Sequence, residues 1–328
     1  MSQGAIQGYG SIISVTPAGT LTPVLVFGPH AELGSNPGSP IRSGSGAMIG
    51  ISNYGGQHSK GIIYRIDESL NYTRVLDLPE VPLHDGLFDN DLIQAPDNSL
   101  LGIGYPGSTA DWGFIFSVRE DGSQFNVVHE FGYASGPITM GTDGFVYGTS
   151  PDGGAFNHGL IYKMKPDGSS YTELHDFDTD TNGASPSSIM MASNGFLYGV
   201  TGQAGNNNIG TIFKLKPDGT DYQVIHHQAE IYSIQFGLTE FDGALFGVSY
   251  AGGDNGLGAI FTIRLDGSGF NILHNLDAQD GASPSGKIAI GNDGVIYGTN
   301  AAYGANGHGT FYTMKTDGSG FDVLHDFV

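Results

Sequence analysis

Short stretches of alternating apolar and polar residues run along the whole chain, separated by turn sequences. Residues 211–216, Thr-Ile-Phe-Lys-Leu-Lys, show the alternation that is typical of a strand with one buried face. Asn194-Gly195 and Asp218-Gly219 connect neighbouring stretches, and their glycines supply the positive φ that a tight hairpin needs. No longer segment has a helical period, so the pattern predicts an all-β protein.

Two sequence features recur with a period near 50 residues. The first is an apolar or aromatic residue followed by glycine, at Ile49-Gly50, Leu101-Gly102, Tyr147-Gly148, Tyr198-Gly199, Phe246-Gly247 and Tyr297-Gly298. The second is a glycine followed three residues later by an aromatic residue, first at Gly61 and Tyr64 and last at Gly309 and Tyr312. Each unit accommodates four short strands, predicted in the fourth unit at residues 188–191, 196–201, 210–216 and 222–226.

Four-stranded units repeated at this period are typical of a β-propeller, in which closure protects the sheet edges. We therefore predict a single propeller domain over residues 1–328, with a partial unit at 4–27 and six full units over 31–328. Seven blades, the first of them incomplete, are favoured over six. A linear solenoid of the same units is the alternative architecture.

The charge balance excludes two classes of partner. The chain carries 12 Lys and Arg against 33 Asp and Glu, a formal net charge of −21. Such a chain cannot neutralise a run of phosphates, so we expect neither nucleic acid nor an anionic membrane surface as its partner. The absence of Cys excludes disulfides and thiolate metal sites. We expect a monomer.

A longer motif runs through the fourth and last units. It consists of Phe177, Gly-Ala-Ser-Pro at 183–186, Tyr-Gly at 198–199 and Gly-Thr-Ile-Phe-Lys-Leu at 210–215, with counterparts at 281–284, 297–299 and 309–312. The motif resembles the GloVer tandem repeat of bacterial choice-of-anchor proteins, and the resemblance covers nearly the whole chain. It implies a secreted or surface-attached bacterial protein and no particular activity. Because the chain shows no leader or anchor, a cytoplasmic location is the alternative.

We expect a binding site where the second strand joins the third and where one blade joins the next. In a four-stranded meander these connections share one rim, and the tight hairpins share the other. The hairpins are short and repetitive, whereas the other loops are long and differ between units. Variable loops on a rigid scaffold often carry binding residues, so the long-loop rim near the central channel is the predicted site.

The histidines divide by position. Five share one place on the predicted fourth strand, where Leu25 and Leu76 stand in the first units, so we assign a packing role to His129, His175, His226, His274 and His325. His58, His158 and His308 fall in the long loops. They are candidates for ligand contact or proton transfer, with solvated loop histidines as the alternative.

Four other residues complete the candidate ligand-binding set. Trp112 and Tyr303 offer aromatic rings that can stack on sugar faces, although Trp112 can equally be a core residue at the start of a strand. Arg42 and Lys287 fall on predicted first strands. They can pair with a carboxylate of a ligand or offset neighbouring acids such as Asp91.

An irregular insert at residues 80–91 supplies the candidate catalytic residues His84, Asp89 and Asp91. An imidazole beside carboxylates can act as an acid or base, and an acidic surface loop is the alternative. Asp178, Asp180 and Asn182 match the opening of a Ca²⁺ loop, but the twelfth position is Ile189 instead of Glu. Ca²⁺ is therefore the one candidate cofactor, and we expect no other.

The sequence contains no nucleophile elbow, P-loop, dinucleotide fingerprint or zinc-protease helix motif. Our first hypothesis is a secreted or surface propeller that recognises a glycan or another polar ligand at its long-loop face. The second is an enzyme (a lyase, hydrolase or cyclase) with a central pocket and His and Asp as acid and base. The third is a scaffold for protein–protein interaction.

Overall fold

The structure, a computed structural model, describes residues 10–16, 20–28, 34–80, 88–105, 113–133, 136–178 and 182–328, without the side chains of Asp89 and Asn90. Every regular element in these ranges is a β-strand. Nowhere in them is there a helix long and apolar enough to cross a membrane. The predicted all-β class is confirmed.

The chain begins with a two-stranded sheet and two blades. The two-stranded sheet comprises β1 (Ser11–Val15) and β2 (Leu21–Val26). The first blade comprises β3 (Ser35–Pro37), β4 (Ile41–Arg42), β5 (Met48–Tyr54), β6 (Ile62–Ile66) and β7 (Tyr72–Asp77). The second comprises β8 (Phe88–Gln94), β9 (Ser99–Gly104), β10 (Phe114–Arg119) and β11 (Asn126–Glu130).

Four further blades follow. The third comprises β12 (Ile138–Met140), β13 (Val146–Ser150), β14 (Leu160–Met164) and β15 (Thr172–Asp176), and the fourth β16 (Ala184–Met191), β17 (Leu197–Gln203), β18 (Thr211–Leu215) and β19 (Gln223–His227). The fifth region contains β20 (Ile231–Tyr232), β21 (Leu238–Phe241), β22 (Ala244–Ser249), β23 (Ala251–Gly252), β24 (Ala259–Arg264) and β25 (Asn271–Asn275). The sixth blade comprises β26 (Ala282–Pro284), β27 (Ala289–Ile290), β28 (Val295–Ala302), β29 (Thr310–Lys315) and β30 (Asp322–Asp326).

Two blades have an interrupted first strand. β3 and β4 both pair with β5, and β26 and β27 both pair with β28, so each pair counts as one strand position. In the fifth region β20 pairs with β23, and the other four strands form the blade. The described residues therefore form a β-propeller with six four-stranded blades, each in meander order.

The blade number corrects the sequence-based expectation of seven. The partial unit predicted at 4–27 is represented only by the β1–β2 sheet. Its two strands leave no described residues for a second pair before the first blade begins at Ser35. Ile12 and Phe27 of this region pack on Tyr64 and Ile66 of β6 instead, so the segment extends the apolar core beside the first blade.

The chain divides into two compact units. One contains residues 1–146 and 164–171, and the other contains residues 147–163 and 172–328. Within the first, Ile51 of β5 and Phe88 of β8 belong to one buried cluster that joins the first two blades. Within the second, Tyr198 of β17 and Phe261 of β24 belong to one cluster that joins the fourth and fifth blades.

The two repeated sequence features meet inside each blade. The glycine of the second strand lies opposite the aromatic residue of the third, as in the pairs Gly50–Tyr64 and Gly298–Tyr312. A Cβ on either glycine would overlap the tyrosine ring. Glycine is therefore required at this position by the close approach of a buried ring, and the strand spacing explains why both features share one period.

Four of the five repeated histidines stack on an aromatic ring of the following blade, in the packing role predicted for them, and His325 lies against Phe327. His175 of the third blade stacks on Tyr222 of the fourth, with ring centroids 3.8 Å apart and planes 6° from parallel. His129, His226 and His274 stack in the same way on Tyr171, Phe270 and Phe321 of the following blade. Burial lowers the pKa of His175, which favours the neutral ring in this stack.

Candidate functional site

Each blade has two different ends. The hairpins that join strand 1 to strand 2 and strand 3 to strand 4 lie at one end, since successive strands are antiparallel. We call this the hairpin end. The connection from strand 2 to strand 3 and the connection to the next blade lie at the other, the loop end.

The loop ends share one backbone conformation. In five blades the connection from strand 2 to strand 3 is a seven-residue loop, at residues 55–61, 153–159, 204–210, 252–258 and 303–309. The amide of its last residue donates to the carbonyl of its first, as Gly159 does to Gly153 over 3.2 Å. The first, second, fifth and seventh residues have positive φ, including Asn157 at 58° and Tyr303 at 62°.

A side chain from the fourth strand fastens each loop. Asp176 Oδ1 accepts a hydrogen bond from Ala155 N at 3.1 Å. Asp77, His227, Asn275 and Asp326 hold the third loop residue of their own blades in the same way. The acceptor lies directly against the second loop glycine, where a Cβ would be too close to a carboxylate or amide oxygen in four blades and would lie 3.2 Å from His227 Nδ1 in the fourth blade.

This repetition changes the interpretation of the long loops. The sequence indicated loops that differ from unit to unit, whereas the backbone of these five is the same and only the side chains differ. Positive φ at non-glycine residues such as Asn157 and Ala204 hid the repeat, because the pattern cannot be read from glycine positions alone.

The strongly exposed aromatic side chains lie at the loop ends. Five of them, between 42% and 58% exposed, are described, and none is at a hairpin end: Tyr54, Phe156, Tyr232, Tyr250 and Tyr303. The exposed apolar residues Met48 and Leu70 lie in hairpins instead. Four of the five aromatic residues belong to the second compact unit.

Two of these tyrosines are held by an extra pairing. β20 and β23 place Tyr232 opposite Ala251, and Tyr250 N donates to Ser233 O at 3.1 Å. The connection into the fifth blade is thus tied to the loop end of that blade. Sequence reasoning singled out only Tyr303 among the five aromatic residues. Alignment of the repeats on the seven-residue loop would have found Phe156, which lies in it, and Tyr54 and Tyr250, which come shortly before it, but not Tyr232 on β20.

The predicted loop histidines and Tyr303 are where a ligand can reach them. His58, His158 and His308 are exposed in seven-residue loops, and His158 and His308 occupy the same sixth position. Tyr303 and His308 form an isolated backbone bridge across their loop. These residues are presented on fixed backbones of three different blades.

The two basic candidates lie apart from these loops. Arg42 is on β4 and is exposed, with its guanidinium 3.7 Å from Glu68. Lys287, expected on a first strand, falls in the break between β26 and β27 and is exposed. The first strand of this blade is interrupted between Pro284 and Ala289, so the predicted place of Lys287 on a strand was wrong.

The candidate catalytic residues are described only in part. His84 lies outside the described residues, as does the ligand-binding candidate Trp112, and Asp89 is described by its backbone on β8 alone. Asp91 is an exposed residue of the same strand. The structure thus adds the position of Asp91 and says nothing of an acid–base pair.

The proposed Ca²⁺ ligands have internal partners. Asn182 Nδ2 donates to Asp178 Oδ1 at 3.3 Å, and the Asn182 carbonyl accepts a hydrogen bond from the Tyr222 phenol at 2.6 Å. Asp180 lies outside the described residues. Elsewhere in the described part of the chain, no three His, Asp or Glu side chains are grouped so that they could hold a metal.

The hairpin ends of the first unit contain two clefts that sequence reasoning missed. The larger, of about 620 Å³, is lined by Gly44, Ser45, Asn98, Arg119, Glu120, Asp121, Ser123 and Gln124. The smaller, of about 380 Å³, is lined by Pro96, Asp97, Ser99, Ser117, Gly144, Lys165, Pro166 and Asp167. Both clefts lie between short, repetitive hairpin turns, to which the sequence assigns only a structural role.

Comparison with known proteins supports the fold. A family model described as the Gloeobacter/Verrucomicrobia repeat matches residues 78–234 and 228–328. No curated protein matches the chain in sequence.

Several solved structures are similar in fold. A Mycobacterium tuberculosis puromycin-hydrolyzing peptidase is 13% identical, with a TM-score of 0.66 over 96% of this chain and 49% of the peptidase. This chain therefore spans about half the length of that peptidase. An oligogalacturonate lyase in complex with manganese is 13% identical, with a TM-score of 0.64 over 90% of this chain and 79% of the lyase. The oligogalacturonate lyase of Vibrio parahaemolyticus gives the same identity and TM-score. At such identities the likeness shows the fold alone.

Proposed function

This chain belongs to the Gloeobacter/Verrucomicrobia repeat family, and we propose that it is a recognition protein that binds a glycan through the loop ends of its blades. The position of the exposed aromatic side chains carries this proposal. All five strongly exposed aromatic residues among those described lie at loop ends. An aromatic ring can cover the apolar face of a sugar while neighbouring polar groups bind its hydroxyls.

The loop backbone supports the proposal because it is organised before any ligand arrives. Each seven-residue loop is closed by its own hydrogen bonds and fastened by the fourth strand, as Asp176 fastens the loop that carries Phe156. A side chain on a fixed backbone loses less conformational entropy on binding than one on a free loop. The repeated loop is therefore a suitable platform for weak, additive contacts.

Charge selects the class of glycan. The net charge of −21 opposes the approach of polyanionic chains. A neutral glycan is therefore a better ligand for this chain than a uronate polymer is, although one of the structurally similar proteins is an oligogalacturonate lyase. We further propose a monomer that acts outside the bacterial cell or on its surface.

A binding experiment with loop-end variants tests the proposal. Calorimetric titration with neutral oligosaccharides is expected to show binding, and Phe156→Ala or Tyr303→Ala is expected to weaken it about tenfold each. Leu70→Ala is the matched control, because Leu70 is 57% exposed but lies in a hairpin. Equal affinity of all variants, or no binding by any neutral glycan, would overturn the proposal.

The same experiment separates the rival functions. If the protein turns over a bound glycan, and a variant that combines His84→Ala, Asp89→Ala and Asp91→Ala loses this turnover, the protein is an enzyme. Binding of a protein and of no glycan would identify a scaffold. Ca²⁺ dependence of the melting temperature that disappears in Asp178→Ala would assign the cation to Asp178, Asp180 and Asn182.

A further inference from the structure

The larger hairpin-end cleft is placed and built differently from the loop ends. It lies within the first compact unit and is bounded by three hairpins: β4–β5 at Gly44 and Ser45, β8–β9 at Asn98, and β10–β11 at residues 119–124. Its volume of about 620 Å³ falls in the range of small-molecule sites.

Hydrogen bonds between hairpins hold the walls of the cleft in place. Gln94 Oε1 accepts from Gly44 N at 2.8 Å, and Gln94 Nε2 donates to Glu120 Oε1. One side chain of the second blade thereby joins the hairpin of the first blade to the last hairpin of its own. The walls of the cleft are thus joined to one another by side-chain contacts.

Arg119 is oriented on the same wall. Its Nη1 donates to the Asp97 carbonyl at 2.9 Å, and its Nε donates to Gln124 Oε1 at 3.2 Å. Among the described residues these contacts leave Nη2 to a ligand. Asn98, held at a φ of 65°, also lines the cleft, and its carboxamide oxygen lies 3.3 Å from the place a Cβ would take on Gly44.

The repeat shows that a carboxylate at the position of Glu120 is not required by the hairpin, whereas a basic residue at the position of Arg119 recurs in the later blades. At the position of Glu120 the first blade also carries a carboxylate, Glu68, and the later hairpins of this type carry Pro166, Pro217, Leu265 and Thr316. At the position of Arg119 they carry Lys165, Lys216, Arg264 and Lys315. A carboxylate at this position is therefore confined to the first two blades, and in the second blade it contacts Gln94 of the same blade.

The chemistry of the cleft favours one ligand class. Guanidinium, carboxamide and carboxylate groups each present two polar atoms in a plane, which suits two neighbouring hydroxyls. Arg119 is outnumbered by Asp97, Glu120 and Asp121 around the cleft, so a carboxylate or phosphate would be repelled. Hydrogen bonds from Ser123 lower the pKa of Asp121 and keep that carboxylate charged.

We propose that this cleft is a second binding site, for a neutral sugar or polyol with vicinal hydroxyls. The site is independent of the loop-end proposal, because it lies at the hairpin ends of the blades. A ligand there would contact Asn98, Arg119 and Glu120 through hydrogen bonds, with no aromatic stacking.

The test uses the full chain and substitutions that the repeat itself supplies. Arg119→Lys with Glu120→Pro rebuilds the Lys-Pro-Asp-Gly hairpin of residues 165–168 and 216–219, so the variant is expected to fold. Arg264→Lys in the fifth blade is the matched control. Maltose, cellobiose and lactose are the neutral probes, and galacturonate and inorganic phosphate are the anionic probes.

The readout is the change in amide NMR shifts with ligand concentration. A neutral disaccharide is expected to shift the amides of residues 44, 45, 98 and 119–124, with affinity about tenfold lower in the double variant and unchanged in Arg264→Lys. Phe156→Ala is expected to leave these shifts unchanged, which separates this site from the loop ends. No shift at these amides, equal affinity in the double variant, or tighter binding of galacturonate or phosphate would each overturn the proposal.

Discussion

The two ends of a blade repeat in different ways. At the hairpin ends both sequence and backbone recur, with Asp accepting hydrogen bonds from the Ser or Thr two residues later, as Asp167 does from Ser169. At the loop ends the backbone recurs while the exposed side chains differ: the fourth loop residue is His58 in one blade, Phe156 in another and Asn207 in a third. At the loop ends the sequence therefore varies in the exposed side chains, while the backbone that carries them stays the same.

The difference has a physical basis. A hairpin of two to four residues is determined by its own turn residues, so its sequence must repeat. A seven-residue loop is fastened from outside by a fourth-strand side chain, as Asn275 fastens Asp254 N at 3.1 Å. Because the fastening residue lies outside the loop, the exposed loop positions are free to change.

The largest effect should come from alanine at two glycines, Gly159 in a crowded loop and Gly144 in an open hairpin. Gly159 has a φ of 101°, and the Cβ added in Gly159→Ala would lie 2.6 Å from Ser150 O and against the Pro186 ring. Left-handed strain and overpacking together should cost about 2–5 kcal/mol in the free energy of unfolding. Gly144→Ala at a hairpin has a φ of 82° and no atom within 4 Å, so only the strain of about 1–2 kcal/mol should remain.

Denaturant unfolding of the two variants measures this contrast. The comparison requires that both retain the slope of the wild type, so that the change in midpoint reports stability. Equal losses for Gly159→Ala and Gly144→Ala would show that the loop is not constrained more tightly than the hairpin.

The next largest effect should come from the residue that fastens a loop. Asp176→Ala removes the acceptor of the Ala155 amide, which should cost about 1–3 kcal/mol and raise hydrogen exchange at that amide. Asp176→Asn should restore most of the loss, since Asn275 holds the equivalent loop of the fifth blade. If Asp176→Ala exchanges at Ala155 as slowly as the wild type, the loop is closed by its own hydrogen bonds alone.

The sequence predicts the strands and hairpins well because their determinants are local. The predicted second strand of the fourth unit, 196–201, overlaps β17 at Leu197–Gln203, and Gly195 and Gly219 have the expected positive φ. The first strand begins at Ala184, four residues earlier than predicted. The reason is a register shift between Pro186 and Ser188, which lets the strand continue past an irregularity that the sequence does not show.

The candidate site is harder to predict because its determinants are distant in sequence. Asp176 and Ala155 are 21 residues apart, and Gln94 joins Gly44 across 50 residues. No periodicity within a blade reveals such contacts. The exposed aromatic residues were also hidden, since Tyr250 and Phe156 stand at different offsets from the glycine of their second strand.

The smallest effect concerns pH. The histidine stacks between blades and the aspartates of the hairpin ends should lose their stabilising contributions in separate pH ranges. Burial lowers the pKa of His175 in the folded state, so as pH falls the unfolded chain binds a proton first and stability decreases from about pH 6.5 downward. Hydrogen bonds from Ser169 lower the pKa of Asp167, so the hairpin contribution is lost only as pH falls below about 4.

His175→Leu should act on the first window alone. Leu76 fills the equivalent position in the first blade, beside Phe125, so the substitution has a precedent in the same fold. The slope of unfolding free energy against pH between 5 and 6.5 should decrease by less than about 1.4 kcal/mol per pH unit, with the loss below pH 4 unchanged. His158→Leu, at an exposed loop position, is the control. If the slope is unchanged in His175→Leu, the stacked His175 ring is protonated as readily in the folded chain as in the unfolded one. The stack would then tolerate a charge that burial of the ring should exclude.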